Sequence, residues 1–215
     1  IRLRFRGASV ESRFQMKLFL LLSIEQIKNN FEARLSGQKA RPGVFAGMLS
    51  VVIETKNDEE GLARTLASLV NGAVEGMVRE VIVCDLGSAD DSHRVAEEAG
   101  CIWLPRGGAA AGVRQAKSDW LLLLEPGATM VDGWMDSVAR HVSRATSAGR
   151  FSRASKARTP FLKRIFAGNR GLVEGLLITR RQASSLSRSG QGGEAMARGL
   201  ATRRLDGEII PASKR

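Results

Sequence analysis

Three carboxylates carry the first chemical signal in this sequence of 215 residues. Glu54, Asp85 and Glu125 each follow directly on a short apolar run: Leu49–Ile53, Val81–Cys84 and Trp120–Leu124. Such runs read as buried strands. If those strands lie side by side and parallel, the three carboxylates converge on one sheet edge, which is where open α/β sheets bind ligands. A carboxylate there can accept hydrogen bonds from a base or ribose, help hold a divalent cation, or take a proton. The competing role for an acidic residue after a strand is to cap the next helix. Asp90 and Asp91 directly precede a helical segment and are read as caps. Asp85 and Glu125 do not, and are read as site residues.

The elements that must position these groups alternate regularly from Leu49 onward. Leu62, Leu66 and Leu69 recur at helical spacing after the first strand, with Asn57 and Glu60 as the expected cap pair. Ser92–Ala99 reads as a helix stopped by Gly100. Cys101–Leu104 is the third strand, Ala109–Lys117 a helix opened by Gly107 and Gly108, and Trp120–Leu124 the fourth strand. Leu176–Thr179 reads as a further strand, Arg180–Ser187 and Glu194–Arg204 as helices, and Ile209–Ile210 as a short last strand. Strands that alternate with helices and lack polar alternation imply a mostly parallel sheet with helices on both faces. The fold class is therefore α/β.

Composition narrows the class further. The chain is 43% apolar and 26% charged, an ordinary globular balance, and its longest uncharged stretches fall short of the roughly 20 residues of a membrane span. The net charge of +11 is unevenly spread. Residues 1–47 carry 9 basic and 3 acidic side chains, residues 48–137 carry 7 and 15, and residues 138–215 carry 17 and 4. Nucleic-acid binding is the reflex reading of such a basic chain, but the segment with the fold signals is the acidic one, so that reading is set aside. Cys84 and Cys101 are not a CxxC pair and read as buried free thiols in a reducing compartment, the cytoplasm. Residues 1–47 are expected to be a basic appendage and linker, and residues 48–215 the domain, with an acidic part at 48–137 and a basic part at 138–215. Arg13–Ile24 has the charge and apolar run of a short signal sequence, without a small-residue cleavage site before Glu25.

Other candidates offer less. Gly107, Gly108 and Gly112 follow a strand and open a helix as a dinucleotide loop does, but Ala109 stands at its third position and no Walker lysine follows. His93 and His141 lack metal spacing and are expected at the surface. Trp134 is expected to pack under the loop after the fourth strand. Gly149–Arg170, rich in Arg, Lys and Ser with Phe151, Phe161 and Phe166 interleaved, reads as a mobile basic loop or as a surface for an anionic membrane or a lipid-diphosphate acceptor.

Leu49–Leu69 (LSVVIETKNDEEGLARTLASL), Glu80–Asp90 (EVIVCDLGSAD) and Ala116–Thr129 (AKSDWLLLLEPGAT) resemble the nucleotide-binding half of family 2 glycosyltransferases. The resemblance implies the GT-A (nucleotide-diphospho-sugar transferase) architecture, a nucleotide-sugar donor and a sugar-transfer reaction to an unknown acceptor. It also implies that the acidic part 48–137 is the nucleotide-binding half and the basic part 138–215 the acceptor side. The family's opening motif, roughly S-V-V-I-P-T-x-N-E-E, is matched from Ser50 to Glu59, which implies pocket roles for Glu54, Thr55 and Asn57. Its V-V-D-D-G-S-T-D motif is matched from Val83 to Asp90, which implies that Asp85 holds the base; Leu86 stands at the second Asp. The metal motif L-D-A-D is here Leu124, Glu125, Pro126 and Gly127. Glu125 alone would then assist the diphosphate and hold Mg²⁺ or Mn²⁺ weakly. Ala109 and Ala110 replace the family's Arg-Asn, and Glu194 with Ala195 stands nearest its catalytic Glu-Asp, with Glu194 itself read as a solvated helix residue. These departures imply a second possibility: a degenerate relative that binds nucleotide-sugar, a membrane or a partner protein without turnover.

Overall fold

A computed structural model describes residues 47–144, 147–154, 171–187, 192–198 and 200–212. The proposed N-terminal appendage up to residue 46, and the basic stretch 155–170, lie outside the described residues. Strands β1 (Leu49–Thr55), β2 (Val78–Asp85), β3 (Ile102–Pro105) and β4 (Trp120–Leu124) alternate with helices α1 (Glu59–Val74), α2 (Ser92–Glu98) and α3 (Gly108–Gln115). They are followed by β5 (Thr129–Met130), α4 (Trp134–Arg144), β6 (Gly149–Arg153), β7 (Leu176–Thr179), α5 (Arg180–Leu186), α6 (Gly193–Ala197) and β8 (Arg203–Ile210). All eight strands form one sheet in the order β3-β2-β1-β4-β7-β6-β8-β5. The run β3-β2-β1-β4 is parallel throughout. Beyond β4 the sheet turns mixed: β7 is antiparallel to β4 and β6, and β8 is parallel to β6 but antiparallel to β5.

The two-residue period of a strand sorts its side chains onto two faces, and each face has its own core. Leu49, Val51 and Ile53 of β1, with Leu122 and Leu124 of β4, pack among Leu62, Leu66 and Leu69 of α1, Val95 of α2 and Trp134 and Val138 of α4. Val52, Leu121 and Leu123 face the other way, toward Ala109 and Val113 of α3, Ala183 of α5 and Met196 of α6. Burial on both faces is the reason these strands show no polar alternation. Trp134 is buried as expected, with its ring against Gly72: a Cβ there would lie 2.6 Å from Cζ2.

Several expectations need correction. The helix read over Glu194–Arg204 ends at Ala197, and Arg203–Ile210 is a full strand. Its buried positions are Leu205, Gly207 and Ile209. The middle one is glycine because a Cβ would sit 2.9 Å from Ser137 Cβ and 3.2 Å from the Phe151 ring, so the alternation is hidden from a hydrophobicity reading. The stretch read as a basic loop begins as β6, and Phe151 is fully buried rather than displayed. His141 is buried too: its Nε2 lies 2.7 Å from the Ser147 carbonyl oxygen and its ring meets Trp120 edge-on. The α1 cap is Asp58, whose side chain accepts from Gly61 N, and not the Asn57–Glu60 pair.

Cys84 and Cys101 are free thiols, Cys84 buried as expected but Cys101 only half-buried, and burial pushes both up to about 12. Thiolate is the reactive species, so both should react slowly with a disulfide reagent at pH 8 in the native protein and at ordinary rates in denaturant. Equal rates in both states would contradict this burial. Gly112 gives a second test. A Cβ on it would lie 2.7 Å from both Cys84 Sγ and Val52 Cγ1, so α3 rides directly on the sheet. Gly112→Ala should lower stability by about 1–3 kcal/mol, seen as a lower urea midpoint at unchanged slope.

Candidate functional site

The parallel register brings the strand ends together. Thr55 is level with Asp85, and Ile53 with Leu124, so Glu54, Asp85 and Glu125 leave three neighbouring strands on the same edge. What the side chains do there differs residue by residue.

Asp85 is buried, and its carboxylate accepts from Gly87 N, Ser88 N and the Ser88 hydroxyl, the last at 2.6 Å. It closes the turn that leads out of β2, with Gly87 at φ +93. Ser88 N is shared between the two oxygens, so each oxygen accepts two contacts and the roughly four acceptor positions of a carboxylate are engaged within the turn. Thr55 is also buried; its carbonyl accepts from Leu86 N, while its Oγ1 has no hydrogen-bond partner. Leu86, where the resemblance implies an acid, is exposed on the turn.

Asn57 and its neighbours lace the loop after β1 to the loop after β2. Asn57 sits at φ +51, a left-handed position that Asn tolerates better than most residues. Its Oδ1 accepts from Ala89 N at 2.7 Å, and its own N donates to Ser88 Oγ at 2.9 Å. A reciprocal pair follows: Glu59 N donates to Asp90 Oδ2 and Asp91 N donates to Glu59 Oε2, both at 3.0 Å. Asp90 also accepts from Ser92 N at the start of α2, whereas Asp91, at the N-cap and also read as a cap, makes no side-chain cap bond. Ser88 and Glu59 thus belong to the edge, although no spacing rule marks them.

Glu54 does something the sequence does not announce. Its Oε1 accepts from Ala109 N and its Oε2 from Gly193 N, each at 3.0 Å. One carboxylate therefore meets the first turns of α3 and α6. Gly108 and Gly192 allow this, since a Cβ on either would come within 3.0 Å of the carboxylate oxygens. The next residue extends the connection: Glu194, read as a solvated residue, accepts from both Gly171 N and Leu172 N.

Glu125 opens the turn after β4. Its carbonyl accepts from Ala128 N and from Thr65 Oγ1. Gly127 N donates to Gly61 O at 2.8 Å and to Thr65 Oγ1 at 2.9 Å, which seats the turn on α1. Thr65, a buried polar residue on the apolar face of α1, is the partner that periodicity missed. Gly127 lies at φ +89, where a side chain is strained. Among the described residues no group of three or more His, Cys, Asp and Glu side chains could hold a metal ion. A cavity of about 790 Å³ lies elsewhere, beside Arg114, Trp120, Thr179 and Arg181, at the opposite end of β4 from Glu125. No helix among the described residues is long and apolar enough to cross a membrane.

The Glu54 contact has a direct test. In Glu54→Gln one oxygen still accepts an N–H, but the amide NH₂ faces the other donor. Removing one partner from a shielded donor costs about 1–3 kcal/mol. Stability should fall by that order, and hydrogen exchange should accelerate at Ala109 or Gly193 while β1 stays protected. Unchanged exchange at both amides would show that the carboxylate does not hold them.

Comparison with known proteins follows the same edge. The model of glycosyl transferase family 2 matches residues 50–159, from β1 through β6 and beyond. No protein with a curated description matches the chain. Among solved structures, glucosyl-3-phosphoglycerate synthase from Mycobacterium tuberculosis, in complex with Mn²⁺, UDP and glucosyl-3-phosphoglycerate, is similar at a TM-score of 0.55 and 16% identity, over 82% of this chain and 75% of that one. The same enzyme with Mn²⁺ and UDP-glucose superposes at a TM-score of 0.56 and 15% identity, over 82% of this chain and 74% of that one. TarS of S. aureus is similar at a TM-score of 0.57 and 16% identity, over 77% of this chain and 36% of that one. At such identities the structural likeness speaks for the GT-A fold, and the match over 50–159 speaks for the family: the chain belongs to glycosyl transferase family 2.

Proposed function

We propose that this glycosyltransferase-like protein transfers a sugar from a nucleotide-sugar, with UDP as the first nucleotide to test, to an acceptor not yet identified. The observation that carries the reading is the edge where β1, β2 and β4 end. Two loops are laced together there by four side-chain hydrogen bonds, and this is within the family match. A crevice with a rigid rim positions a ligand without spending binding energy on ordering loops. Asp85 would take a base N–H in exchange for one of the contacts of Ser88 N, which is shared between both of its oxygens; Asn57 and Glu54 would shape the rim through the backbone they hold. Residues 48–137 would form the donor half and residues 138–215 the acceptor side, with residues 1–47 as an appendage. A lipid-linked acceptor or an anionic membrane surface suits the basic C-terminal part, and a cytoplasmic location suits the two free thiols.

The solved relative binds Mn²⁺ with its UDP. In this chain the turn after β4 supplies the single carboxylate of Glu125, and Gly127 adds none. These residues do not fit a resident divalent ion.

A second reading, a binder without turnover, is favoured by the use of Asp85 and Glu54 to hold backbone. Donor hydrolysis separates the two. Titration of the full chain with UDP-sugars should show binding, and release of UDP over hours should show turnover; binding without release would establish the second reading. Asp85→Ala should weaken nucleotide binding about ten- to a hundredfold, the equivalent of roughly 1.5–3 kcal/mol for a hydrogen bond to a charged group. It should also lower the melting temperature, because the turn at Gly87 and Ser88 loses its acceptor. Full nucleotide affinity in Asp85→Ala would remove the base-binding role.

A further inference from the structure

We propose that the guanidinium of Arg64, rather than a divalent cation, receives the donor's diphosphate at the turn after β4. The proposal rests on the nucleotide-sugar reading above and names the residue that meets the phosphates.

The geometry begins with α1. Gly61 and Thr65 are the two residues that bind Gly127 N, and Arg64 lies between them on the same helix. Its side chain reaches the turn: Nη2 lies 3.7 Å from where a Cβ on Gly127 would stand. The space that a side chain at position 127 would enter is therefore bordered by a cation. Gly127 at φ +89, with Ala212 Cβ 3.2 Å from that same point, disfavours any residue that would bring a second carboxylate there. Arg64 is exposed, and no ion pair engages it among the described residues.

Charge supplies the second argument. The edge gathers Glu54, Asp58, Glu59, Asp85, Asp90, Asp91 and Glu125, so a diphosphate arriving there needs a positive partner. A divalent ion in the space that a side chain on Gly127 would enter would stand near the Arg64 cation, and like charges a few ångströms apart repel. A guanidinium meets the same need without that conflict. It is permanently charged, and its planar fork matches two phosphate oxygens at once. Fixed to a helix that is itself hydrogen-bonded to the turn, it requires little reorganisation when the anion arrives.

Titration calorimetry of the full chain with UDP and GDP, each compared with its nucleoside, tests this in EDTA and again with Mn²⁺. The expected result is that the better-binding diphosphate binds in EDTA and that Mn²⁺ changes its affinity by less than about threefold. Arg64→Gln should weaken the diphosphate about tenfold or more and leave the nucleoside unchanged, as loss of a charge-assisted contact to phosphate requires. Arg64→Lys should restore part of the loss. Diphosphate binding that appears only with Mn²⁺, or an Arg64→Gln variant with full affinity, or one that loses nucleoside and diphosphate equally, would overturn the proposal and leave the donor reading standing. Failure of both diphosphates to bind under either condition would refute the donor reading and this inference with it.

Discussion

The Glu54 carboxylate, at the end of the central strand β1, accepts from the first turn of α3 with one oxygen and from the first turn of α6 with the other. Those helices are distant in sequence, and both pack on the same face of the sheet. A carboxylate is well suited to this place. The N–H groups of a first helical turn lack intrahelical partners, and the helix dipole favours negative charge there. Gly108 and Gly192 make sense in this light, because a Cβ on either would stand 3.0 Å from a Glu54 oxygen. Through Glu194 the connection continues to Gly171 and Leu172. Helix α6 is thereby held to the end of β1 at the level of the crevice.

The sheet divides the labour in a similar way. Its parallel run β3-β2-β1-β4 opens all its strand ends toward one edge, which makes a crevice. The antiparallel entry of β7 next to β4, and the return of β6, β8 and β5, close the remainder. Antiparallel neighbours point their loops to opposite edges, so they add core without adding a second set of convergent loops. Phe151, Gly207 and Ile209 fill that region against α4 and its neighbours.

Much of the polar chemistry at the edge serves to hold backbone. Asp85 closes its own turn, Asn57 and Glu59 fasten one loop to the next, and Thr65 seats the turn at Gly127. This is compatible with ligand binding, since a rim whose donors and acceptors are already satisfied keeps its shape. It also changes which groups remain for a ligand: the exposed side chain of Leu86 and the guanidinium of Arg64.

Sequence alone determined the alternation of strands and helices from β1 to β4, because buried parallel strands leave continuous apolar runs and amphipathic helices leave their spacing. The bounds of β4 and β7 match the reading residue for residue. It also determined which strands end in a carboxylate, and the motifs that carry the family resemblance. Tertiary structure alone decided what those carboxylates touch. Glu54 meets backbone N–H groups, which every residue type except proline carries, so no pattern of side chains could announce its partners. The same holds for β8, whose central inward position is a glycine demanded by Ser137 and Phe151. It holds for His141, turned inward by the carbonyl of Ser147 and the ring of Trp120. It holds for Arg64 as well: helical spacing puts it on the polar side of α1, but only the docking of that helix, through its Gly61 and Thr65, onto Gly127 brings its charge to the turn after β4. Periodicity records which face of an element is buried; the close approach of two elements distant in sequence is set by packing, and leaves its mark only as a glycine or a polar residue that the period does not explain.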